Sequence, residues 1–343
     1  MRQPASDPER HNIERFSPCG RNSAERFRHQ DKTPVYSGFS LHGAAERTQR
    51  LVQFQNPSAA RGIGMFFTSD DILDEQGLRH LGRLFERSDI GDGQGSLVEM
   101  SRFESSFLVG LIKKAKPKKI LEVGVAAGGT SSIILSALAD MQSDAALISV
   151  DLNVQHYCAS DRKTGYLVQE LIPQMNGQWS LFTGAPLPAF IEEIGNGIDF
   201  LILDTVHFLP GELLDFITAF PYLTKHATVV LHDTHAHLRT TRPMFATKIL
   251  LDSIVGHKII CKDANSVHIL PNISGVITNS DTKKYIANTF SALSMPWYYL
   301  PSDQELDEYG TIVQKHYEPA LYEYYELAVK AARKRHALFS KAE

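Results

Sequence analysis

The stretch VVLHDTHAHL, residues 229–238, concentrates titratable side chains directly after an apolar run. It contains His232, Asp233, His235 and His237. Imidazole nitrogens and carboxylates bind divalent cations, and a histidine can also exchange a proton near neutral pH. The spacing is therefore compatible with a metal site, with acid–base chemistry, or with a polar loop that follows a strand.

A second pair of titratable residues lies at the end of the run IDFLILD. Asp204 is the last residue of this run, and His207 lies three residues later. Neighbouring strands of a sheet lie about 5 Å apart, so the side chains that follow two parallel strands meet at one edge. Asp204 and Asp233 could therefore converge on one cation. Alternatively, both aspartates cap the elements that follow them, and His207 is a packed, hydrogen-bonded side chain.

The glycine-rich segment EVGVAAGGT, residues 122–130, has the composition of a ligand-binding turn between a strand and a helix. Such a turn lets a ligand approach the backbone beside the positive end of the helix. Gly124, Ala126 and Gly129 match the dinucleotide pattern G-x-G-x-x-G only in part. A phosphate-binding loop is also disfavoured, because no lysine precedes Thr130.

Two acidic residues favour a different ligand for this turn. Glu122 precedes the first glycine of the pattern E-x-G-x-x-x-G, which ends at Gly128, and a carboxylate there suits a ligand that carries a positive amine. S-adenosylmethionine has such an amine. Asp151, at the end of the next apolar run, can accept hydrogen bonds from both hydroxyls of a ribose.

From residue 117 onward, short unbroken apolar runs alternate with helical patterns. This alternation is typical of a parallel sheet buried between helices. We predict strands at 118–124, 146–151, 179–184, 198–204, 227–233 and 257–263. We predict helices at 69–89, 99–115, 130–140, 161–175, 210–223, 244–254 and 317–338. Ligands bind at the carboxyl ends of the strands in such sheets, where the acidic residues, the histidines and the glycine turn all fall.

Together, KKILEVGVAAGGTSSIIL, LISVD and IDFLILDTVH resemble the class I S-adenosylmethionine-dependent methyltransferases over about residues 97–280. Within that class, Asp204-x-x-His207 followed by His232-Asp233 resembles the metal-dependent O-methyltransferases of macrolide sugars and their cephalosporin-hydroxylase-like relatives. The resemblance implies an α/β fold with a Rossmann-like, mostly parallel sheet, helices on both faces, and helical N- and C-terminal extensions.

The resemblance also implies residue roles. It makes Asp204, His232 and Asp233 the ligands of a divalent cation, with Mg²⁺ the first expectation and Mn²⁺, Fe²⁺ or Zn²⁺ the alternatives. It makes His207 the base that takes the proton of an acceptor hydroxyl, on a sugar or glycosylated natural product. Glu104 is a further candidate near the methionine end of the cofactor. The residues expected to bind S-adenosylmethionine are Glu122, Gly124, Ala126, Gly128, Thr130, Asp151 and Ser101.

The sequence is also compatible with other functions. The chain could be a methyltransferase fold that binds the cofactor without turnover, although the presence of Asp204, His207 and Asp233 disfavours a degenerate site. It could be a hydrolase that binds zinc through His232, His235 and His237. An NAD-dependent oxidoreductase is disfavoured by the glycine pattern, and methylation of an amine is not distinguished from methylation of a hydroxyl.

Composition limits the partners and the compartment. The 343 residues carry a formal net charge of -4, so no basic surface predicts binding to nucleic acid or to an anionic membrane. No apolar run reaches the ~20 residues of a membrane-spanning helix, and the first residues lack the apolar core of a secretory signal. The three cysteines are widely spaced, which disfavours a disulfide framework. We therefore expect a cytoplasmic protein that binds a small molecule, and a homo-oligomer is compatible with the sequence.

The chain divides by composition into four segments. Residues 1–60 are polar and without a helical period, and we expect a flexible extension there. We expect residues 61–116 to form a helical lead-in and residues 281–343 to form a helical C-terminal extension, and the resemblance places the domain that binds S-adenosylmethionine at residues 117–280.

Overall fold

The computed structural model describes residues 74, 100–238, 240–260 and 272–339. Within these ranges, seven strands form the main sheet: β1 Lys119–Val123, β2 Ala146–Asp151, β5 Trp179–Thr183, β6 Ile198–Leu203, β7 Leu223–His232, β8 His257–Ile259 and β9 Ile273–Ile277. Their order across the sheet is β5-β2-β1-β6-β7-β9-β8. Two short strands, β3 Gln155–His156 and β4 Ala159–Lys163, form a separate antiparallel hairpin.

The first five strands of the main sheet, from β5 to β7, pair in parallel. The strands β1 and β6 at its centre are almost wholly buried, because helices cover both faces. This arrangement confirms the predicted Rossmann-like, mostly parallel sheet. It also brings the carboxyl ends of β1, β2, β6 and β7 to one edge, which is the edge where ligands bind in such sheets.

The helices in the described ranges flank the sheet and continue beyond it. They are α1 Arg102–Ala115, α2 Gly129–Asp140, α3 Tyr166–Leu171, α4 Ile191–Ile194, α5 Gly211–Ala219, α6 Ala246–Ser253, α7 Ser280–Lys284, α8 Ala287–Ala292, α9 Asp303–His316 and α10 Pro319–Phe339. Short 3₁₀ segments lie at Pro173–Gln178, Leu187–Ala189, Phe220–Tyr222 and Ala236–Leu238.

One predicted helix, at 161–175, is wrong over much of its length. Its first part is β4, the helix α3 covers only Tyr166–Leu171, and a 3₁₀ turn follows from Pro173. The breaks have local causes. Gly165 has a φ of 75°, which starts the helix late, and a proline cannot donate the hydrogen bond that would continue it.

The antiparallel strand β9 was not predicted. It lies between β7 and β8 and pairs antiparallel with both. Ser274 and Gly275 interrupt its apolar residues, so its sequence ISGVI gives a weak strand signal. The predicted strand 257–263 corresponds to β8 as far as the described residues reach.

The C-terminal extension shares the core of the sheet domain. Val229 of β7, Phe216 of α5, Tyr309 of α9 and Tyr325 of α10 belong to one continuous cluster of buried side chains. The hydroxyl of Tyr325 also donates to the backbone oxygen of Leu306 at 2.6 Å. The predicted helical C-terminal extension is confirmed.

Some expectations lie outside the described residues. These are the extension at 1–60 and the helix at 69–89. None of the helices in the described ranges combines the length and the apolar character that a bilayer crossing requires. Cys158 is disulfide-bonded, which the wide spacing of the cysteines had not led us to expect.

Candidate functional site

The loop between β1 and α2 passes against the end of β6. Gly124 has a φ of 92°, and a Cβ atom there would lie 1.8 Å from the backbone oxygen of Asp204. Only glycine combines this conformation with so close an approach. The amide of Gly124 donates to the backbone oxygen of Val150 at 2.9 Å. The loop is therefore fixed between the carboxyl ends of β2 and β6.

The second half of the loop packs on the segment that leads into α3. Gly128 has a φ of 90°, and a Cβ atom there would lie 2.9 Å from the Cα atom of Gly165. The amide of Gly165 donates to the backbone oxygen of Ala126 at 2.9 Å. Thr130 is buried in the first turn of α2. The four predicted cofactor residues of this loop thus lie at the ligand-binding edge, and their contacts with a cofactor remain a prediction.

Asp151, at the end of β2, accepts hydrogen bonds from the backbone of the same loop. Its Oδ2 atom accepts the amides of Val125 at 2.9 Å and of Ala126 at 3.0 Å. Its Oδ1 atom accepts the amide of Asn153 at 2.7 Å. Since a carboxylate offers about four acceptor positions, the chemistry of Asp151 fits the predicted contact with a ribose, but with one hydroxyl more readily than with two.

Glu122 occupies a fully buried position inside the sheet. Its Oε2 atom accepts the hydroxyls of Ser131 and Ser149, each at 2.6 Å. Burial raises the pKa of Glu122 to about 7, against the effect of these two hydrogen bonds. Both oxygens of the carboxylate are enclosed, so a direct contact with the amine of a ligand needs a rearrangement of this network.

Ser101 is the N-terminal cap of α1. Its hydroxyl accepts the amide of Glu104 at 3.2 Å, and the carboxylate of Glu104 accepts the amide of Ser101 at 2.7 Å. This reciprocal pair is a capping box, which supplies partners for the free amides of the first turn. Ser101 is exposed, whereas Glu104 is only 3% exposed.

The ends of β6 and β7 bring the predicted metal ligands together. Asp204 Oδ1 lies 3.1 Å from His232 Nδ1, and Asp233 Oδ2 lies 3.8 Å from the same nitrogen. One donor atom from each of the three residues falls within 4.8 Å of the others. The register explains this proximity, because Leu203 of β6 pairs with Leu231 of β7, and Asp204 and His232 follow them directly.

His207 completes the cluster from the loop after β6. Its Nε2 atom lies 3.0 Å from Asp233 Oδ2 and 3.9 Å from Asp204 Oδ1. On the other side of the ring, Nδ1 lies 3.2 Å from Glu212 Oε1. The same oxygen of Glu212 accepts the backbone amide of His207. His207 has a φ of 61°, a conformation that non-glycine residues rarely adopt.

Charges within the cluster dominate its protonation. Burial alone lowers the pKa of His232 and of His207, but the carboxylates around them raise both pKa values well above the usual range. Burial raises the pKa of Asp233, and the two imidazolium charges overcome this effect and lower it. These directions favour ion pairs between protonated histidines and carboxylates within the cluster.

The donor set fits a divalent cation. Two carboxylate oxygens and one imidazole nitrogen are ligand types that Mn²⁺, Fe²⁺ and Zn²⁺ accept, and the carboxylates also suit Mg²⁺. Separations of 3.1 Å and 3.8 Å between donor atoms are compatible with ligands about 2.1 Å from a shared ion. Among the described residues, the group formed by Asp204, His232 and Asp233 meets this geometric requirement.

His235 and His237 are the other histidines of residues 229–238, and His235 has polar contacts outside the proposed cation site. The amide of His235 donates to Asn272 Oδ1 at 2.9 Å, and its ring nitrogen Nδ1 lies 3.1 Å from the hydroxyl of Thr234. His235 is 5% exposed, so its side chain does not lie in a solvated part of the loop. Within the part of the chain that the structure describes, His235 and His237 do not join His232 in a group with metal-binding geometry, which removes the support for a three-histidine zinc site.

Sequence reasoning missed two residues of the site and assigned a third to another place. Glu212, a fully buried glutamate on α5, contacts His207. Asn272, just before β9, donates from Nδ2 to Asp233 Oδ1. Glu104 lies beside His232, with 3.7 Å between its Oε2 atom and His232 Nε2. For the two glutamates, the sequence did carry a signal: each one interrupts an apolar helical pattern, ESSFLVGL in α1 and ELLDF in α5.

Comparison with known proteins gives one family match. Residues 121–234, which span β1 to the first residues after β7, match a family described as a methyltransferase domain. The matched range contains the glycine loop, Asp151, Asp204, His207, His232 and Asp233. No curated protein sequence matches the chain.

Solved structures give distant likenesses. The O-methyltransferase TomG from Streptomyces achromogenes, solved with S-adenosylmethionine, is 14% identical with a TM-score of 0.44, over 62% of this chain and 94% of that one. The Bacillus cereus O-methyltransferase, solved with S-adenosylhomocysteine, is 13% identical with a TM-score of 0.39, over 62% and 98%. The Podospora anserina methyltransferase PaMTH1 is 14% identical with a TM-score of 0.41, over 71% and 100%.

Proposed function

We propose that this chain, whose residues 121–234 match a methyltransferase domain family, is a cation-assisted, S-adenosylmethionine-dependent O-methyltransferase. In this proposal Asp204, His232 and Asp233 hold a divalent cation, and His207 is the base. The glycine loop and Asp151 bind the cofactor. The predicted methyltransferase is confirmed at the level of the domain family, and the roles of individual residues are the proposal.

One observation carries the proposal. The glycine loop contacts the backbone of Asp204, since a Cβ atom on Gly124 would lie 1.8 Å from the backbone oxygen of that residue. Asp204 belongs to the acid–histidine cluster, which comprises Asp204, His207, His232 and Asp233. A ligand on this loop therefore lies next to the cluster. A methyl donor and a deprotonated acceptor must meet within a few ångström for transfer, and this adjacency satisfies that requirement.

His207 is arranged to take a proton at Nε2. Glu212 lies 3.2 Å from Nδ1, so a proton on Nδ1 is stabilised there and Nε2 remains the acceptor. Nε2 faces Asp233 and Asp204. An acceptor hydroxyl that reaches Nε2 when Asp233 binds the cation loses its proton to that nitrogen, its oxygen forms the new bond to the methyl carbon, and the bond from that carbon to sulfur breaks.

A bound cation supplies charge that lowers the pKa of the acceptor hydroxyl and orients its oxygen. The same charge bears on His207. The carboxylate of Asp233 is the leading cause that raises the pKa of His207, and pairing that carboxylate with a cation weakens its effect. A neutral His207, which a base requires, is therefore favoured in the filled site.

A sugar or glycosylated metabolite is the proposed acceptor. Phe208, the residue after His207, stacks on Tyr298 with 4.4 Å between ring centroids. Tyr298 is 39% exposed, whereas Phe208 is buried. An exposed aromatic ring can contact the apolar face of a sugar, and Phe208, on which Tyr298 stacks, follows the proposed base directly in the chain.

The test is transfer of tritium from methyl-labelled S-adenosylmethionine to a panel of sugars and glycosides, with Mn²⁺ or Mg²⁺ and with a chelator. We expect the chelator to stop transfer, and His207→Ala to slow it by about 100-fold or more. Asp204→Asn should slow it as well. His226→Ala, on the exposed start of β7, is the matched control and should transfer at the wild-type rate. Transfer that is indifferent to the chelator and to both site variants would refute the proposal.

A further inference from the structure

Glu104 lies closer to the acid–histidine cluster than its position in the chain suggests. It precedes the whole sheet, yet its Oε2 atom is 3.7 Å from Nε2 of His232. Both side chains are buried, at 4% and 3% exposure. His232 Nε2 is itself enclosed and has no hydrogen-bond partner among the described residues, so Glu104 is the carboxylate within ion-pair range of it.

The packing of α1 explains this position. Glu104, Leu108 and Leu111 are spaced at i, i+4 and i+7, so they share one face of the helix, and all three are buried. Leu111 lies against β9, where a Cβ atom on Gly275 would come within 3.3 Å of its Cδ1 atom. The small residue on β9 lets the helix approach the sheet. Two turns nearer the start of the helix, Glu104 reaches the end of β7.

Capping does not account for the burial of Glu104. A second capping box in this chain joins Ser302 and Glu305 at the start of α9, with the same 2.7 Å contact from the serine amide to the glutamate. Glu305 is only partly buried there. Burying a carboxylate is costly unless a partner compensates it, and at Glu104 that partner is His232.

We infer that Glu104 is a positioning residue for the proposed cation site. Its carboxylate, 3.7 Å from Nε2, favours a proton on that nitrogen, and this leaves the lone pair of Nδ1 directed toward Asp204 and Asp233. Metal-binding histidines commonly donate their second N–H to a carboxylate, which fixes the tautomer and increases the basicity of the ligand. The inference rests on the proposed function, because it needs a cation at Asp204, His232 and Asp233.

The inference has a consequence for the identity of the cation. Mg²⁺ prefers oxygen ligands, whereas Mn²⁺, Co²⁺ and Zn²⁺ accept an imidazole. A histidine that is held ready as a ligand by Glu104 therefore selects a transition metal over Mg²⁺. This revises the expectation from the sequence, in which Mg²⁺ came first.

The test is calorimetric titration of the chelator-treated full chain with Mn²⁺ and, separately, with Mg²⁺, in the absence of S-adenosylmethionine. The variants are Glu104→Ala, Glu104→Gln and Asp204→Ala. The matched control is Glu305→Ala, which removes the same type of capping glutamate from α9. Thermal unfolding of each variant without metal reports any loss of folding. If Glu104→Ala does not fold, Glu104→Gln, which preserves the size and an acceptor oxygen, serves in its place.

We expect wild type to bind Mn²⁺ about 10-fold or more tighter than Mg²⁺. We expect Glu104→Ala to lower the affinity for Mn²⁺ by about 10- to 100-fold, with a smaller loss in Glu104→Gln and none in Glu305→Ala. Equal Mn²⁺ affinity in wild type and both Glu104 variants, with Asp204→Ala still impaired, would overturn the role of Glu104 alone. Absence of Mn²⁺ and Mg²⁺ binding in wild type would overturn the cation site itself, and the inference with it.

Discussion

At the scale of single residues, Glu212 holds the proposed base in place. One of its oxygens accepts the backbone amide of His207 and lies 3.2 Å from the ring nitrogen Nδ1 of the same residue. It thus holds the backbone of His207, which has a φ of 61°, by a hydrogen bond, and it places a carboxylate beside the ring. Its second oxygen is enclosed without a hydrogen-bond partner in the described ranges. The buried charge of Glu212 is therefore compensated chiefly through His207.

Replacement of Glu212 by Gln should lower the pKa of His207. The charge of Glu212 is one of the causes that raise this pKa, and Gln removes the charge while retaining an acceptor for the backbone amide. The measurement is the pH titration of histidine ring resonances by NMR in the metal-free protein. Glu193→Gln, on the exposed part of α4, is the control and should leave the His207 titration unchanged. A His207 titration that Glu212→Gln does not move would contradict the assigned contact.

The sequence predicted from the ends of its apolar runs that Asp204 and Asp233 lie together, and the family resemblance added His232 and His207 to them. Each follows an apolar run, and runs of that kind become adjacent parallel strands with aligned ends. Glu104, Glu212 and Asn272 could not be predicted in the same way. Their contacts depend on how α1, α5 and β9 pack on the sheet, and neither the helical period nor the strand pattern specifies which partner a buried polar side chain meets.

At the scale of elements, the turn from β1 into α2 is the tightest constraint near the site. Gly124 must adopt a positive φ, and its Cα atom lies against the backbone at the end of β6. A backbone contact cannot yield as a flexible side chain can. Any side chain at this position displaces either the glycine loop or Asp204, so the two halves of the proposed site depend on one residue.

We predict that Gly124→Ala is strongly destabilising, by about 3 kcal/mol or more, because it adds a steric clash to the cost of a positive φ. Gly197→Ala is the matched control. Gly197 has a φ of 89°, but a Cβ atom there meets no atom within 4 Å, so only the cost of the conformation remains, about 1 kcal/mol. Chemical denaturation of the two variants measures the difference. Equal destabilisation would show that the loop does not press on Asp204.

The helix α5 carries a second buried acid, Asp215. Its carboxylate accepts the hydroxyls of Tyr309 at 2.9 Å and of Thr205 at 3.2 Å. Burial raises its pKa to about 7 from a usual 3.8, against the effect of these hydrogen bonds. The folded protein thus binds the proton more tightly than the unfolded chain. The stability that Asp215 contributes is complete below pH 3.8 and is lost as the pH rises through about 7.

Asp215→Asn should remove this loss. We expect the free energy of unfolding of the variant to rise relative to wild type, by about a few kcal/mol, between pH 4 and pH 8. Urea denaturation at several pH values measures it. Asp144→Asn, at an exposed position, is the control and should follow wild type throughout. A constant difference between Asp215→Asn and wild type would contradict the raised pKa.

Among the elements, the parallel strands and the helix α2 were predictable because their apolar runs are unbroken. The helix predicted at 161–175 failed because Tyr166, Leu167 and Val168 form only a short helix between Gly165 and Pro173. The hairpin before it, β3 with β4, has the polar sequence QH and ASDRK. Such residues give no strand signal, so this hairpin depends on its tertiary surroundings.

At the scale of the whole molecule, the C-terminal helices belong to the same core as the sheet. Tyr309 of α9 lies over α5 and donates to Asp215, and Tyr325 of α10 packs among the residues of α9. The helix α5 is also the one that carries Glu212 to His207. A continuous set of contacts thus links the C-terminal extension to the proposed base. The stripe of apolar residues in the last helix indicated that it would dock, but not where.

The central claim is that S-adenosylmethionine binds at the glycine loop and Asp151, beside a separate cation cluster at Asp204. Calorimetric titration of the chelator-treated protein with S-adenosylmethionine tests it most directly, on wild type, Asp151→Ala and Asp204→Ala. We predict micromolar affinity in wild type, about 10-fold or more weaker binding in Asp151→Ala, and wild-type affinity in Asp204→Ala. Absence of binding to wild type, or binding that Asp204→Ala abolishes and Asp151→Ala leaves intact, would contradict the account.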